Sequence, residues 1–192
     1  MTGLLAREAI GGDNAALANF WDISGRRAHA MVFLSRRLRI GAPDVAHTFG
    51  LFCDTGVPLL IDRFPDYADT YATAAQETGR PVTALEDERH STNHAAIGCL
   101  LAKNWGLSSD VSWAILHHQD YSVLEDAATD DGVRSLVALS LLAECAIQKY
   151  QGHGHCVEWD KGGERACAYL GLSGDETAEL LDELHESFHT EH

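Results

Sequence analysis

The sequence predicts an all-α protein, a multi-helix bundle. Apolar residues recur at spacings of three and four along most of the chain, the repeat of a helix with one buried face. Capping residues, prolines and glycines punctuate that repeat where helices would start and stop. No segment shows sustained strand alternation bounded by hairpin turns.

Taken in order, a long helical pattern runs from Ala15 to about Ile40, closed by Gly41 and then Pro43. A second helix starts at Pro43, a good first-turn residue, and reaches Phe52. After the "DTG" turn, "VPLLIDRF" forms a short helix ended by Pro65, and "DYADTYATAAQETG" forms another that stops at Gly79. Thr83 and Glu86 in "TALE" have capping-box spacing. "STNHAAIGCLLAKNWG" is an amphipathic helix ended by Gly106, and "SSDVSWAILHH" follows with Ser108 or Ser109 as its N-cap. "VRSLVALSLLAECAIQKY" is strongly apolar and stops near Gly152. The last helix, "SGDETAELLDELHESF", opens with a second box made by Ser173 and Glu176. The glycine-rich stretch 151–163 is the one joint. It divides a core over 1–150 from a loop and C-terminal helical tail over 151–192.

Composition narrows the function classes. The 192 residues are 45% hydrophobic and 22% charged, ordinary for a globular chain and too apolar for disorder. No apolar run approaches the roughly 18 residues that would cross a bilayer, and no secretory pattern opens the chain. The reading is a cytoplasmic protein without a membrane partner. A formal charge of −15 repels a phosphate backbone, which argues against nucleic acid. One basic cluster stands out. Arg26, Arg27, Arg36, Arg37 and Arg39 share one helix and offer an anion-binding patch for a small nucleotide-like ligand, against the plainer reading of a solvated face.

Five cysteines without CxxC pairs read as reduced thiols. "HGHCVEW", with His153, His155 and Cys156, is a soft-metal candidate against the plainer reading of a surface loop. The amphipathic C-terminal helix suits a homodimer contact or packing on its own domain. Its His185, His189 and His192 are expected to face solvent.

Periodicity then singles out four ionisable groups. His94 shares a face with Ile97, Gly98, Leu101 and Trp105. His118, beside His117, falls on the stripe of Val111, Ala114 and Ile115. Glu144 sits with Val137, Ser140 and Leu141, and Asp54 ends the apolar run "FGLFCD". Each alone reads as a hydrogen-bonded core residue. Together they must meet one another, a metal or backbone donors, because an unpaired buried charge costs several kcal/mol. Imidazoles and carboxylates on facing helices are how bundles build metal sites.

"FWDISGRRAHAMVFLSRRL", "FGLFCDTGVPLL", "NHAAIGCLLAKNWGLSSDVSWAILHHQD" and "VALSLLAECA" resemble successive signatures of the HDOD family. These are HD-related output domains, kin to the HD-type metal-dependent phosphohydrolases, and the resemblance spans roughly residues 17 to 150. It implies an HD-like bundle and a role in bacterial signal transduction through signalling proteins or a small ligand. It also implies helices ahead of the "FW" region, so the core is expected to lack them.

In the catalytic relatives an early histidine, a His-Asp doublet, further histidines and a late aspartate bind one or two metal ions for phosphate-ester hydrolysis. By resemblance those positions are Ile23, Cys53–Asp54, His94, His117 with His118, and Glu144. Ile23 cannot ligate, and Cys53 suits a softer ion. The resemblance therefore implies a vestigial metal site, no resident cofactor, and a non-catalytic regulatory domain. The alternatives are a metal-dependent phosphohydrolase using Asp54, His94, His117, His118 and Glu144 around a divalent metal, and a nucleotide receptor without chemistry.

Overall fold

The computed structural model describes residues 15–190, and no strand occurs among them. Helices α1 (Ala15–Leu38), α2 (Pro43–Phe52), α3 (Gly56–Arg63), α4 (Tyr67–Ala74) and α5 (Val82–His90) come first. They are followed by α6 (His94–Asn104), α7 (Ser109–His117), a 3₁₀ turn (Tyr121–Leu124), α8 (Asp131–Tyr150), α9 (Val157–Leu170) and α10 (Gly174–Thr190). None is long and apolar enough to cross a membrane. The expected all-α bundle is the observed fold.

Helix α8 is the axle. Its residues from Leu136 to Ala143 are all buried, as expected of a helix apolar on every side. Helices α1, α7, α9 and α10 pack around it. The largest core cluster joins Met31 and Leu34 of α1, Phe49 and Phe52 of α2, Ile115 of α7, and Leu139 and Leu142 of α8. Leu184 of α10 completes it, so the C-terminal helix packs on this core.

Several ends differ from expectation, each for a local reason. The α1 helix stops at Leu38, and Arg39 takes the left-handed conformation (φ 58°) ahead of Gly41 (φ 65°). The Ile40 N–H donates to Ser35 O at 3.0 Å, so a Schellman closure is built on an arginine. Helix α4 ends at Ala74, short of Gly79. The Thr83–Glu86 box does not form. The helix starts at Val82 without a side-chain cap, and Glu86 turns inward. Residues 157–163, read as part of a joint, are the first turns of α9, with Gly162 lying flat against the Tyr121 ring. The Ser173–Glu176 box and the Ser108 cap form as expected.

Two glycines set how closely the site-bearing helices approach. A Cβ on Gly50 would sit 2.8 Å from the Ala28 Cα, so α2 rests directly on α1. A Cβ on Gly56 would collide with the backbone carbonyl of His94, so the start of α3 rests on the start of α6. Gly56→Ala is expected to lower unfolding free energy by about 3 kcal/mol, as overpacking against rigid backbone does. Gly79→Ala, at an open position, should change it by under about 0.5 kcal/mol. Urea denaturation of the two variants checks both; equal midpoints would contradict the close-approach reading.

Candidate functional site

The chain leaves α2 through Cys53, Asp54 and Thr55 and enters α3 without a loop. Cys53 N–H still bonds Phe49 O at 2.9 Å, and Thr55 Oγ donates to Phe52 O at 2.8 Å. This tight link buries Cys53 in the core and turns Asp54 toward the space between α1, α6 and α7.

His94 stands at the first position of α6, behind the N-cap Asn93, whose side chain accepts from Ala96 N–H at 2.8 Å. Glu86 of α5 holds it twice over. Its carboxylate accepts the His94 backbone N–H at 3.1 Å and the ring Nδ1–H at 2.7 Å, and it also accepts from the Tyr67 hydroxyl. Burial would raise the Glu86 carboxyl, but the bonds from His94 and Tyr67 hold it below the usual range. Burial would likewise lower His94, but Glu86 and the charge of Asp54 raise it above an ordinary histidine.

His118 ends α7, and its Nδ1 lies 2.7 Å from the Ile115 carbonyl, which can only accept. Both rings therefore carry a proton on Nδ1, whether or not Nε2 is protonated as well. The Nε2 atoms that remain face each other at 3.2 Å. They lie 3.2 Å (His118) and 3.8 Å (His94) from Asp54 Oδ1. Two ring nitrogens and a carboxylate oxygen converge on one point, an arrangement that holds only with a proton or a cation among them. Asp54, His94 and His118 are the one metal-competent group of three or more among the described residues.

These residues fit one divalent ion. Bonds of about 2.0–2.1 Å at a tetrahedral angle separate ligand atoms by about 3.3 Å, close to the distances observed. Each imidazole also has the outer acceptor that fixes a ligating tautomer, Glu86 for one and a backbone carbonyl for the other.

The other half of the site is closed by a cation of the chain's own. Arg27, one turn beyond Ile23 on α1, is 7% exposed. Its Nη1 donates to Asp54 Oδ2 at 2.8 Å and its Nη2 to Glu144 Oε2 at 3.0 Å. Gln148 supports Glu144 from the next turn of α8 at 2.9 Å. Burial opposes the Asp54 charge, but Arg27 and then His118 and His94 hold the carboxyl far below its usual range. Beside the site lies a cavity of about 120 Å³, lined among others by Arg27, Asp54, Tyr71, His118, Gln119 and Glu144. Within that lining Gln119 Oε1 is buried without a partner among the described residues.

The structure thus brings together four of the five expected metal-site residues: Asp54, His94 and His118 at one point, and Glu144 through Arg27. His117 lies apart, stacked on the Trp113 ring with centroids 6.0 Å away. The five arginines do not gather into a patch. Arg26 pairs with Asp22 at 2.9 Å, Arg37 pairs with Glu183 at 2.8 Å, and Arg36 and Arg39 are exposed. Arg27 faces inward. His155 pairs with Asp160 and Cys156 is the N-cap of α9, so the "HGHCVEW" candidate does not assemble among the described residues. Glu86, Tyr67 and Tyr71 were missed. Glu86 had a signal, since it lies on the stripe of Val82 and Leu85.

Removing the guanidinium would leave two carboxylates facing each other with low exposure. Arg27→Met is expected to destabilise the metal-free protein by about 3 kcal/mol. Added Mn²⁺ should then raise the melting temperature of the variant more than that of the wild type. An unchanged midpoint in the variant would show that Arg27 is not the cation holding Asp54 and Glu144.

The HDOD domain model matches residues 2–121, which include Asp54, His94 and His118. No curated protein matches. A candidate phosphohydrolase from Shewanella amazonensis SB2B is 21% identical with a TM-score of 0.61, over 92% of this chain and 61% of that one. The MmoQ response regulator from Methylococcus capsulatus str. Bath is 23% identical with a TM-score of 0.57, over 86% of this chain and 60% of that one. A candidate signal transduction protein from Marinobacter aquaeolei VT8 is 20% identical with a TM-score of 0.62, over 87% of this chain and 36% of that one. At such identities the likeness is one of fold, and this chain spans under two thirds of each solved relative. By the family match, supported by the shared fold, the chain belongs to the HDOD domain family.

Proposed function

We propose that this chain is a non-catalytic regulatory domain whose HD-type metal site is vestigial, and that it works by binding signalling proteins. The observation that carries this is the buried Arg27 guanidinium, bonded to both Asp54 and Glu144 where the catalytic relatives place metal. A second divalent ion about 5 Å from that cation would meet a repulsion of roughly 7 kcal/mol at an effective dielectric of about 20. Ile23 offers no imidazole to outweigh it, and the Cys53 thiol is pushed well above its usual range by burial. The names of two solved relatives, a response regulator and a signal transduction protein, point the same way.

The cavity bears on the ligand. At about 120 Å³ it is smaller than the roughly 300 Å³ at which small-molecule pockets begin, so it suits water or a small solute better than a nucleotide. The scattered arginines add nothing to a nucleotide-receptor reading. The proposed recognition element is therefore a protein surface, although a second hollow of about 440 Å³, lined by His29, Arg36 and His47 among others, is large enough for a small ligand.

One observation favours a second reading, a hydrolase with a single metal. Asp54, His94 and His118 would hold the ion, with Glu86 fixing the His94 tautomer and Arg27 fixing Asp54. Such an ion, when bound, supplies Lewis-acid activation of water or phosphate. The two readings part on turnover. Phosphate release from nucleotides, cyclic dinucleotides and simple phosphoesters should be no faster for the wild type than for Asp54→Ala, with Mn²⁺, Fe²⁺ or Zn²⁺ supplied. Metal-dependent release that Asp54→Ala abolishes would overturn the non-catalytic proposal.

A further inference from the structure

The C-terminal helix carries a second pair of histidines that the site above does not use. Residues 185–189 of α10 read His-Glu-Ser-Phe-His, two imidazoles one helical turn apart. Their Nε2 atoms lie 3.4 Å from each other, with ring centroids 5.1 Å apart. Two nitrogens bound to one tetrahedral ion at about 2.0–2.1 Å stand about 3.3 Å apart, so the bite is already set. This spacing is also the one at which a helix holds zinc through two histidines. Tyr150 of α8 packs against both rings, at 5.9 Å from His185 and 5.1 Å from His189, and restricts their rotation. His189 is exposed, so the remaining coordination positions open to solvent.

We propose that His185 and His189 form a transition-metal site on α10, separate from the Asp54–His94–His118 cluster. Imidazole pairs select borderline ions such as Zn²⁺, Ni²⁺ and Cu²⁺ over Mg²⁺ and Ca²⁺. Asp182, one turn before His185, adds negative charge on the same face, although Lys149 holds its Oδ1 at 2.5 Å. The His185 Nδ1 is buried without a hydrogen-bond partner among the described residues. The outer acceptor that strengthens a zinc ligand is therefore lacking, and the site exchanges its ion readily. It is proposed as a binding site, with no chemistry assigned to it.

The test is calorimetric titration of Zn²⁺ into the full chain and into His185→Asn, His189→Asn and His192→Asn. One equivalent of Zn²⁺ should bind at least about ten-fold more weakly in His185→Asn and in His189→Asn, by analogy with the loss of weaker supporting contacts, and unchanged in His192→Asn. The exposed His189 variant should keep its fold, checked by circular dichroism, and decides the matter if His185→Asn does not fold. Unchanged affinity and stoichiometry in His189→Asn would overturn the proposal. So would an equal loss in His192→Asn, which would assign the metal to the chain's end.

Discussion

A guanidinium held out of water between two carboxylates is the constraint around which this molecule is arranged. Arg27 comes from α1, Asp54 from the α2–α3 link and Glu144 from α8, so three separate stretches must meet for any of the charges to be tolerated. Each ion alone would cost several kcal/mol to bury. The close approach of α1 and α2 at Gly50, and the tight turn through Cys53 and Thr55, make the meeting possible. On the far side of Asp54 the same carboxylate faces His118 and His94. Asp54 is thus the hinge between a half-site closed by the chain's own cation and a half-site whose ligand atoms are still directed at one point.

The two halves have different chemistry. Around His94 and His118 the supporting shell is intact: Glu86 and the Ile115 carbonyl fix both tautomers, and Tyr67 fixes Glu86. Such support keeps imidazoles oriented for a cation. Around Glu144 the orientation serves Arg27 instead, with Gln148 behind it. An arginine cannot lose its proton at any ordinary pH, so it neutralises the carboxylates permanently while doing none of the water activation a metal would do. With Arg27 in place, that half of the site is held together by the chain's own charges.

Much of this was legible in the sequence. The apolar stripes containing His94, His118 and Glu144 located those groups correctly, because helical period alone decides which face is buried. Arg27 was not legible, since Arg26, Arg27, Arg36, Arg37 and Arg39 look alike in the chain and only the packing of α2 against α1 turns one of them inward. Glu86 was misread because capping-box spacing and an apolar stripe coincide on one residue, and the buried partners Tyr67 and His94 decide between them. The α1 terminus was misplaced for a related reason. Gly41 is the better left-handed residue, but the Ser35–Ile40 bond closes the helix two residues earlier, at Arg39.

The most direct measurement is anomalous diffraction from crystals soaked in Mn²⁺ or Zn²⁺. The account predicts at most one ion in this site, among Asp54 Oδ1 and the Nε2 atoms of His94 and His118, with Arg27 still bonded to Asp54 and Glu144. Two ions, one of them between Asp54 and Glu144 with the guanidinium turned away, would contradict it.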